Sequence, residues 1–81
     1  MSIKVFTLID APIARQIRVA RTLKGWRQSD LAFFATQLLR EVMRDESLRV
    51  TPENIVRIEG GSAIHEDRKR AVLACLGIDD D

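Results

Sequence analysis

The sequence predicts a mainly α-helical domain of four to five helices with one short β-strand at its N-terminus. Apolar residues recur at helical spacing in several stretches, and Gly or Pro residues stand where these stretches begin or end. Residues 3–9 differ from the rest, because they are β-branched and aromatic and contain no breaker. That composition is typical of a strand.

An 81-residue chain is expected to form one domain with a modest core. We divide it into an N-terminal strand or arm at 1–10, a helical core at 11–78 and an acidic tail at 79–81. No run of about 18 apolar residues predicts a membrane span, and the N-terminus does not follow the plan of a signal peptide. The single cysteine, Cys75, is expected to be a reduced and buried thiol, as in a cytosolic protein.

The net charge indicates no partner, because 13 Lys and Arg residues face 12 Asp and Glu residues. The distribution is more informative, since basic residues dominate positions 1–40 and acidic residues gather later and end the chain. This asymmetry suits a protein that turns one positive face to a polyanion. A solvated surface of mixed charge would give the same pattern.

The first helix is predicted over 11–24, with Asp10 as its N-cap and Gly25 as its end. Trp26 follows and is expected to pack at the junction between helices, in preference to stacking on a nucleic-acid base. The expected inner stripe of this helix consists of Ile13, Ile17, Ala20 and Leu23.

The second helix is predicted over 28–44. Its apolar stripe covers almost half of the circumference, which is more than one small core needs. Phe33 lies on the opposite face, either as an incidental exposed residue or as a partner contact. The stripe consists of Leu31, Ala32, Phe34, Ala35, Leu38, Leu39, Val42 and Met43.

The third helix is predicted to be short and sharply bounded. Thr51 is a suitable N-cap, Pro52 fits the first helical position, and the glycines at 60–61 allow the left-handed residue that ends many helices. Such a helix is not stable alone in water. Ile55 and Ile58 form its inner face. Its polar face consists of Glu53, Asn54 and Arg57.

Two further segments complete the prediction. Residues 47–50 are strand-like and offer the strand at 3–9 its only partner within the chain, the alternative being the same strand of a second subunit. A loop then precedes a last helix at 67–76, which ends at Gly77. The residues expected to face inward from this helix are Val72, Leu73 and Leu76.

The residues needed for catalysis are scarce. The chain has one His, one Cys and no Tyr, so convergent titratable groups are not expected. His65 stands beside two acidic residues, but a metal site would require more nitrogen or sulfur ligands. No glycine-rich phosphate loop precedes a helix. The sequence therefore predicts no enzyme, no metal and no cofactor.

Three segments together resemble the Cro/repressor-type, or XRE-like, helix-turn-helix proteins. Residues 17–32, IRVARTLKGWRQSDLA, are similar to the first helix of that family, its glycine turn and the Gln-x-x-Leu-Ala start of its second helix. Residues 55–61, IVRIEGG, are similar to Ile-x-x-Ile-Glu-x-Gly, and residues 72–78, VLACLGI, to the fourth helix. The resemblance implies a lambda-repressor-like fold that binds double-stranded DNA as a transcriptional regulator. It implies a repressor that occupies an operator as a dimer, in the cytoplasm and associated with the nucleoid.

The resemblance also implies roles for individual residues. Arg21 and Glu59 occupy the positions of a buried ion pair that ties the first helix to the recognition helix. Arg57 corresponds to a base-reading position and would bind guanine, while Glu53 would accept from cytosine N4. The full set of implied DNA-binding residues is Arg27, Gln28, Thr51, Pro52, Glu53, Asn54 and Arg57, with phosphate contacts expected from Arg27, Gln28 and Asn54.

The sequence departs from the family in four respects. The connection to the recognition helix is longer, Arg27 replaces a Ser or Thr N-cap, the loop after Gly61 lacks basic residues, and no dimerisation helix follows the fourth helix. A dimer is nevertheless expected, because paired half-sites strengthen the binding of small modules. Its interface would be the strand at 3–9 or the extended second helix around Phe33, Leu39 and Met43.

A second interpretation keeps the same helical scaffold but gives it a protein partner, as an interaction module or an antitoxin. The wide apolar stripe and the small net charge favour a protein partner. The pattern of Gln28, Arg57 and the Arg21–Glu59 pair favours DNA.

Overall fold

The computed structural model describes residues 6–7 and 11–78. Within these ranges the chain is mainly helical, as predicted, and each helix bound lies within one residue of its predicted position. No helix of the described part is long and apolar enough to cross a membrane. In chain order the elements are β1 (Phe6–Thr7), α1 (Ala11–Leu23), α2 (Gln28–Met43), α3 (Pro52–Glu59), β2 (Ile64–His65) and α4 (Glu66–Leu76).

The strand pairing differs from the prediction. β1 pairs antiparallel with β2, so that Phe6 lies opposite His65 and Thr7 opposite Ile64. The sequence predicts a loop at the β2 residues, because a strand of two residues is too short to show the alternation of apolar and polar side chains. Ile64 is buried and extends the core. The rest of the strand expected at 3–9, the N-cap expected at Asp10 and the tail at 79–81 lie outside the described residues.

The core is one cluster to which every helix contributes. α2 packs against both α3 and α4, and α1 packs against the same two helices. Full burial of an aliphatic side chain contributes roughly 1.5–3 kcal/mol, so the short α3 depends on its two buried isoleucines. The buried residues are Ala14, Ile17, Leu31, Ala32, Ala35, Leu39, Val50, Ile55, Ile58, Ile64, Ala71, Val72, Leu73 and Leu76.

Several residues expected in the inner stripes are exposed instead. Leu23 is 82% exposed, because the inner face of α1 centres on Ala14 and Ile17, and Leu23 lies more than 100° around the helix from Ile17. On α2, Phe34 is 39% exposed, and the last turn carries two more exposed side chains. These are Val42, 69% exposed, and Met43, 47% exposed.

The strand expected at 47–50 is absent, and side chains satisfy the backbone of these residues instead. Thr36 Oγ1 donates to the carbonyl of Val50 at 2.9 Å and accepts from its N–H at 2.8 Å. Arg40 Nε donates to the carbonyl of Leu48 at 2.7 Å. Arg68 Nε, from α4, donates to the carbonyl of Arg49 at 2.9 Å. These groups would otherwise enter a strand ladder, so the connection is fixed without one.

A turn carries the chain from α2 into this connection. Arg44 ends α2 in the left-handed conformation, at φ 53°. Asp45 Oδ1 then accepts from the hydroxyl of Ser47 at 2.6 Å and from its N–H at 2.9 Å. Both bonds favour the charged carboxylate, and they lower the pKa of Asp45.

Replacing Thr36 by Val should destabilise the fold. The change leaves the N–H and the carbonyl of Val50 without their partner, and an unsatisfied buried polar group costs about 1–3 kcal/mol. Urea unfolding of the wild type and of Thr36→Val measures the loss. Thr36→Ser is the control, because it keeps the hydroxyl and deletes a methyl worth about 0.8 kcal/mol. Equal losses in both variants would contradict the role of the hydroxyl.

Candidate nucleic-acid interface

The ends of α3 are set by its own sequence. Thr51 Oγ1 accepts from the N–H of Asn54 at 3.1 Å, and Asn54 Oδ1 accepts from the N–H of Thr51 at 2.9 Å. This reciprocal capping box satisfies two backbone donors, with Pro52 at the first helical position. At the other end Gly60 has φ −88° and Gly61 has φ +80°. The predicted cap at Thr51 is confirmed, and the left-handed residue is Gly61.

α3 separates its side chains into a buried face and an outer face. Ile55 and Ile58 have no exposed surface. Glu53 and Arg57 are exposed and lie one turn apart. Val56 is also on the outer side and is 52% exposed. Val56 is not among the DNA-binding residues predicted from the sequence, although its position between two inward isoleucines indicates that it faces out.

The ion pair that the family resemblance implied is present. Arg21 Nε lies 2.8 Å from Glu59 Oε2, and Arg21 Nη2 lies 3.0 Å from Glu59 Oε1. Arg21 Nη1 also donates to the carbonyl of Trp26 at 2.9 Å. The two side chains are only 15% and 8% exposed. One guanidinium therefore joins α1, the turn after it and the end of α3, in the two-pronged geometry that makes Arg–carboxylate pairs strong.

Aromatic side chains fill the junction between α1 and α2. The ring of Trp26 stacks on Phe34 with centroids 4.6 Å apart, and Phe33 meets Phe34 edge-on at 5.4 Å. Lys24 Nζ lies 5.1 Å from the centre of the Trp26 ring. Trp26 is half-buried, so it packs at the helix junction as predicted. Phe33 is 58% exposed, on the face where it was expected.

The start of α2 compensates for its missing Ser or Thr cap. Arg27 occupies the N-cap position, and its backbone N–H donates to Asp30 Oδ2 at 2.8 Å. The side chain of Arg27 is exposed, and Gln28 is half-buried at the first position of the helix. A basic side chain thus stands beside a helix N-terminus, a combination that favours anions.

A cleft of about 400 Å³ opens between α3, the connection at 44–50 and the start of α4. It brings together three of the predicted DNA-binding residues, namely Thr51, Asn54 and Arg57. It does not include Arg27, Gln28, Pro52 or Glu53. The remaining lining residues are Arg49, Ala63, Ile64, His65 and Arg68.

The described residues contain no group of three or more His, Cys, Asp or Glu side chains that could hold a metal ion.

Cys75 is half-buried instead of fully buried as expected. Burial raises the pKa of its thiol, and the positive charge of Lys24 opposes that shift. The thiol is therefore less ionised than a free cysteine, which makes it a weaker nucleophile.

Comparisons of the chain with models of protein families, with curated proteins and with solved structures found no match. The resemblance to Cro/repressor-type proteins therefore rests on the three sequence segments described above.

Removing the carboxylate of Glu59 should destabilise the fold strongly. Glu59→Ala leaves Arg21 charged and largely shielded from water, which costs about 3 kcal/mol. Glu53→Ala is the matched control on the same helix, where an exposed side chain should change stability by roughly 0.5 kcal/mol or less. Denaturant unfolding followed by Trp26 fluorescence compares the two variants. A loss below about 1 kcal/mol for Glu59→Ala would place the pair among ordinary surface ion pairs.

Proposed function

We propose that this chain is a sequence-specific, double-stranded DNA-binding transcriptional regulator with a lambda-repressor-like helix-turn-helix fold. In this proposal it acts as a repressor by occupying its operator as a dimer, with α3 as the recognition helix. The observation that carries the proposal is the presentation of α3. It is an eight-residue helix with an outward polar face, capped by Thr51 and tied to α1 through Arg21 and Glu59.

The outer face of α3 has chemistry suited to base edges in the major groove, which admits one α-helix. The guanidinium of Arg57 would donate to O6 and N7 of guanine, and Glu53 would accept from N4 of cytosine. The methyl groups of Val56 would pack on the C5-methyl group of thymine. These side chains are exposed on a helix whose opposite face is fully buried. The helix could therefore enter a groove without being detached from its core.

The start of α2 supplies contacts of a different kind. Arg27 is exposed and Gln28 is the first residue of the helix, so both lie where the partial positive charge of the helix dipole favours a phosphate. Contacts to phosphate carry no base identity but fix the register of the protein on the duplex. In this proposal Arg27 and Gln28 position the domain, while the outer face of α3 reads the bases.

The second candidate function, a protein-interaction module or an antitoxin, is favoured by one observation. Apolar side chains outside α3 are exposed on α1 and α2; the rings of Phe33 and Phe34 are in contact, and Val42 and Met43 line one groove. Exposed apolar patches mark protein contacts. These residues are Val19, Leu23, Phe33, Phe34, Val42 and Met43.

Part of this apolar surface also suits the dimer. Of the two interfaces expected from the sequence, β1 already has one edge paired with β2 of its own chain. The end of α2 instead forms an open groove of about 250 Å³ with α4. Its apolar lining comprises Leu38, Leu39, Val42, Met43, Ala71 and Ala74. We therefore assign the dimer to this end of α2, in a groove that no residue of α3 lines.

DNA binding can be tested by selecting sites from a randomised duplex library and measuring their affinity by fluorescence anisotropy. Affinity should fall steeply with salt, because neutralising phosphates releases counterions. Arg57→Ala should lose about 1–3 kcal/mol of discrimination at one base pair. Arg27→Ala should weaken all sequences alike and reduce the salt slope by about 1. Absence of salt-sensitive binding to any duplex would contradict the proposed function.

The dimer can be tested by sedimentation equilibrium. Val42→Lys places a charge among the apolar side chains of the groove between α2 and α4 and should shift the protein to monomer, because removing a charge from water in an interface is costly. Leu23→Lys is the control, since it adds the same charge at an exposed apolar position on α1. A wild-type protein that stays monomeric, or equal effects of the two variants, would exclude this interface.

A further inference from the structure

Three arginines line the cleft beside α3, and no Asp or Glu is among the residues that line it. Arg57 comes from α3, Arg49 from the connection and Arg68 from α4. Like charges held in one concave surface repel one another, and an anion between them relieves that repulsion. The lining of the cleft thus carries three arginines and no carboxylate, although the whole chain carries a formal net charge of only +1.

The backbone around Arg49 is held on both sides. Its carbonyl accepts from Arg68 Nε at 2.9 Å, the carbonyl of Leu48 accepts from Arg40, and Thr36 binds both backbone groups of Val50. The side chain of Arg49 is exposed. Because the backbone around Arg49 is already fixed, only its side chain has to be ordered when a contact forms, which lowers the entropy cost of binding.

We propose that this cleft binds a phosphate of the DNA backbone, with Arg49 and Arg68 as its anchors beside the base-reading Arg57. This inference rests on the proposed function. Arginine suits the task because its planar fork matches phosphate geometry. The extended connection, which departs from the family pattern, then contributes a DNA contact of its own through Arg49. Neither Arg49 nor Arg68 is among the DNA-binding residues predicted from the sequence.

DNA is favoured over an acidic protein as the ligand because Arg57 belongs both to the cleft and to the outer face of α3. If a duplex docked on that face, the phosphates on either side of its groove would lie beside the base contacts, where the cleft could bind one of them. The remaining cleft residues fit this placement. Thr51 and Asn54 mark the start of α3, so the cleft lies at the end of the helix whose dipole favours anions.

The test compares Arg49→Ala with Arg15→Ala by fluorescence anisotropy on one duplex over a range of salt concentrations. Arg15 is exposed on α1 and lines neither the cleft nor the groove between α2 and α4, so its removal changes net charge equally without touching either surface. Arg49→Ala should lower the salt slope by about 1 and weaken all duplexes alike. Arg15→Ala should leave the slope nearly unchanged, and Arg49→Lys should keep most of the wild-type slope, because lysine keeps the charge.

The outcomes separate the inference from the function on which it rests. Wild-type binding with equal slopes for Arg49→Ala and Arg15→Ala would overturn the phosphate site and leave the proposed function standing. A wild type that binds no duplex would overturn both. Polyglutamate serves as a carboxylate competitor. If Arg49→Ala lost affinity for polyglutamate but kept its affinity for DNA, the cleft would be a site for acidic protein and the proposal would be wrong.

Discussion

The ion pair between Arg21 and Glu59 is the interaction on which the presentation of α3 depends. An eight-residue helix is not stable alone in water. The burial of Ile55 and Ile58 determines which face of α3 points inward, but it does not determine the direction of the helix axis. The pair supplies a second attachment at the C-terminal end of α3, and the third bond of Arg21, to Trp26, fixes the turn after α1. Because most of the guanidinium donors are satisfied, the cost of desolvating the pair is offset by directed bonds.

The other end of α3 depends on a segment without regular structure. Residues 48–50 have their carbonyls bound by side chains of α2 and α4, which places Thr51 at a defined point relative to the core. α3 is therefore attached at its start through Thr36 and Arg40 and at its end through Arg21. Rigid attachment matters for any helix that reads bases, because small displacements misalign its hydrogen bonds.

Local signals predicted the helices, whereas features that depend on distant neighbours were missed or required the family resemblance. The Thr51 cap and the glycine ends lie within a few residues of the helices they bound, so they could be recognised from the sequence. The exposure of Leu23 depends on which side of α1 the other helices cover. The contact between Arg21 and Glu59 spans 38 positions and was expected only from the resemblance. The bonds that replace the strand at 47–50 use ordinary side chains at no recognisable spacing.

The end of α2 and the connection at 44–50 give a common origin to two features, the exposed apolar side chains of α2 and the arginines of the cleft. α2 continues through Met43, and the other helices do not fully cover its last turn. Val42 and Met43 are therefore exposed. The chain must then return to the start of α3, and the returning segment brings Arg49 into the cleft with Arg57 and Arg68. The last turn of α2 thus adds exposed apolar surface, and the connection that follows it adds positive charge beside α3. Net charge could not reveal this separation, because it sums over all surfaces of the domain.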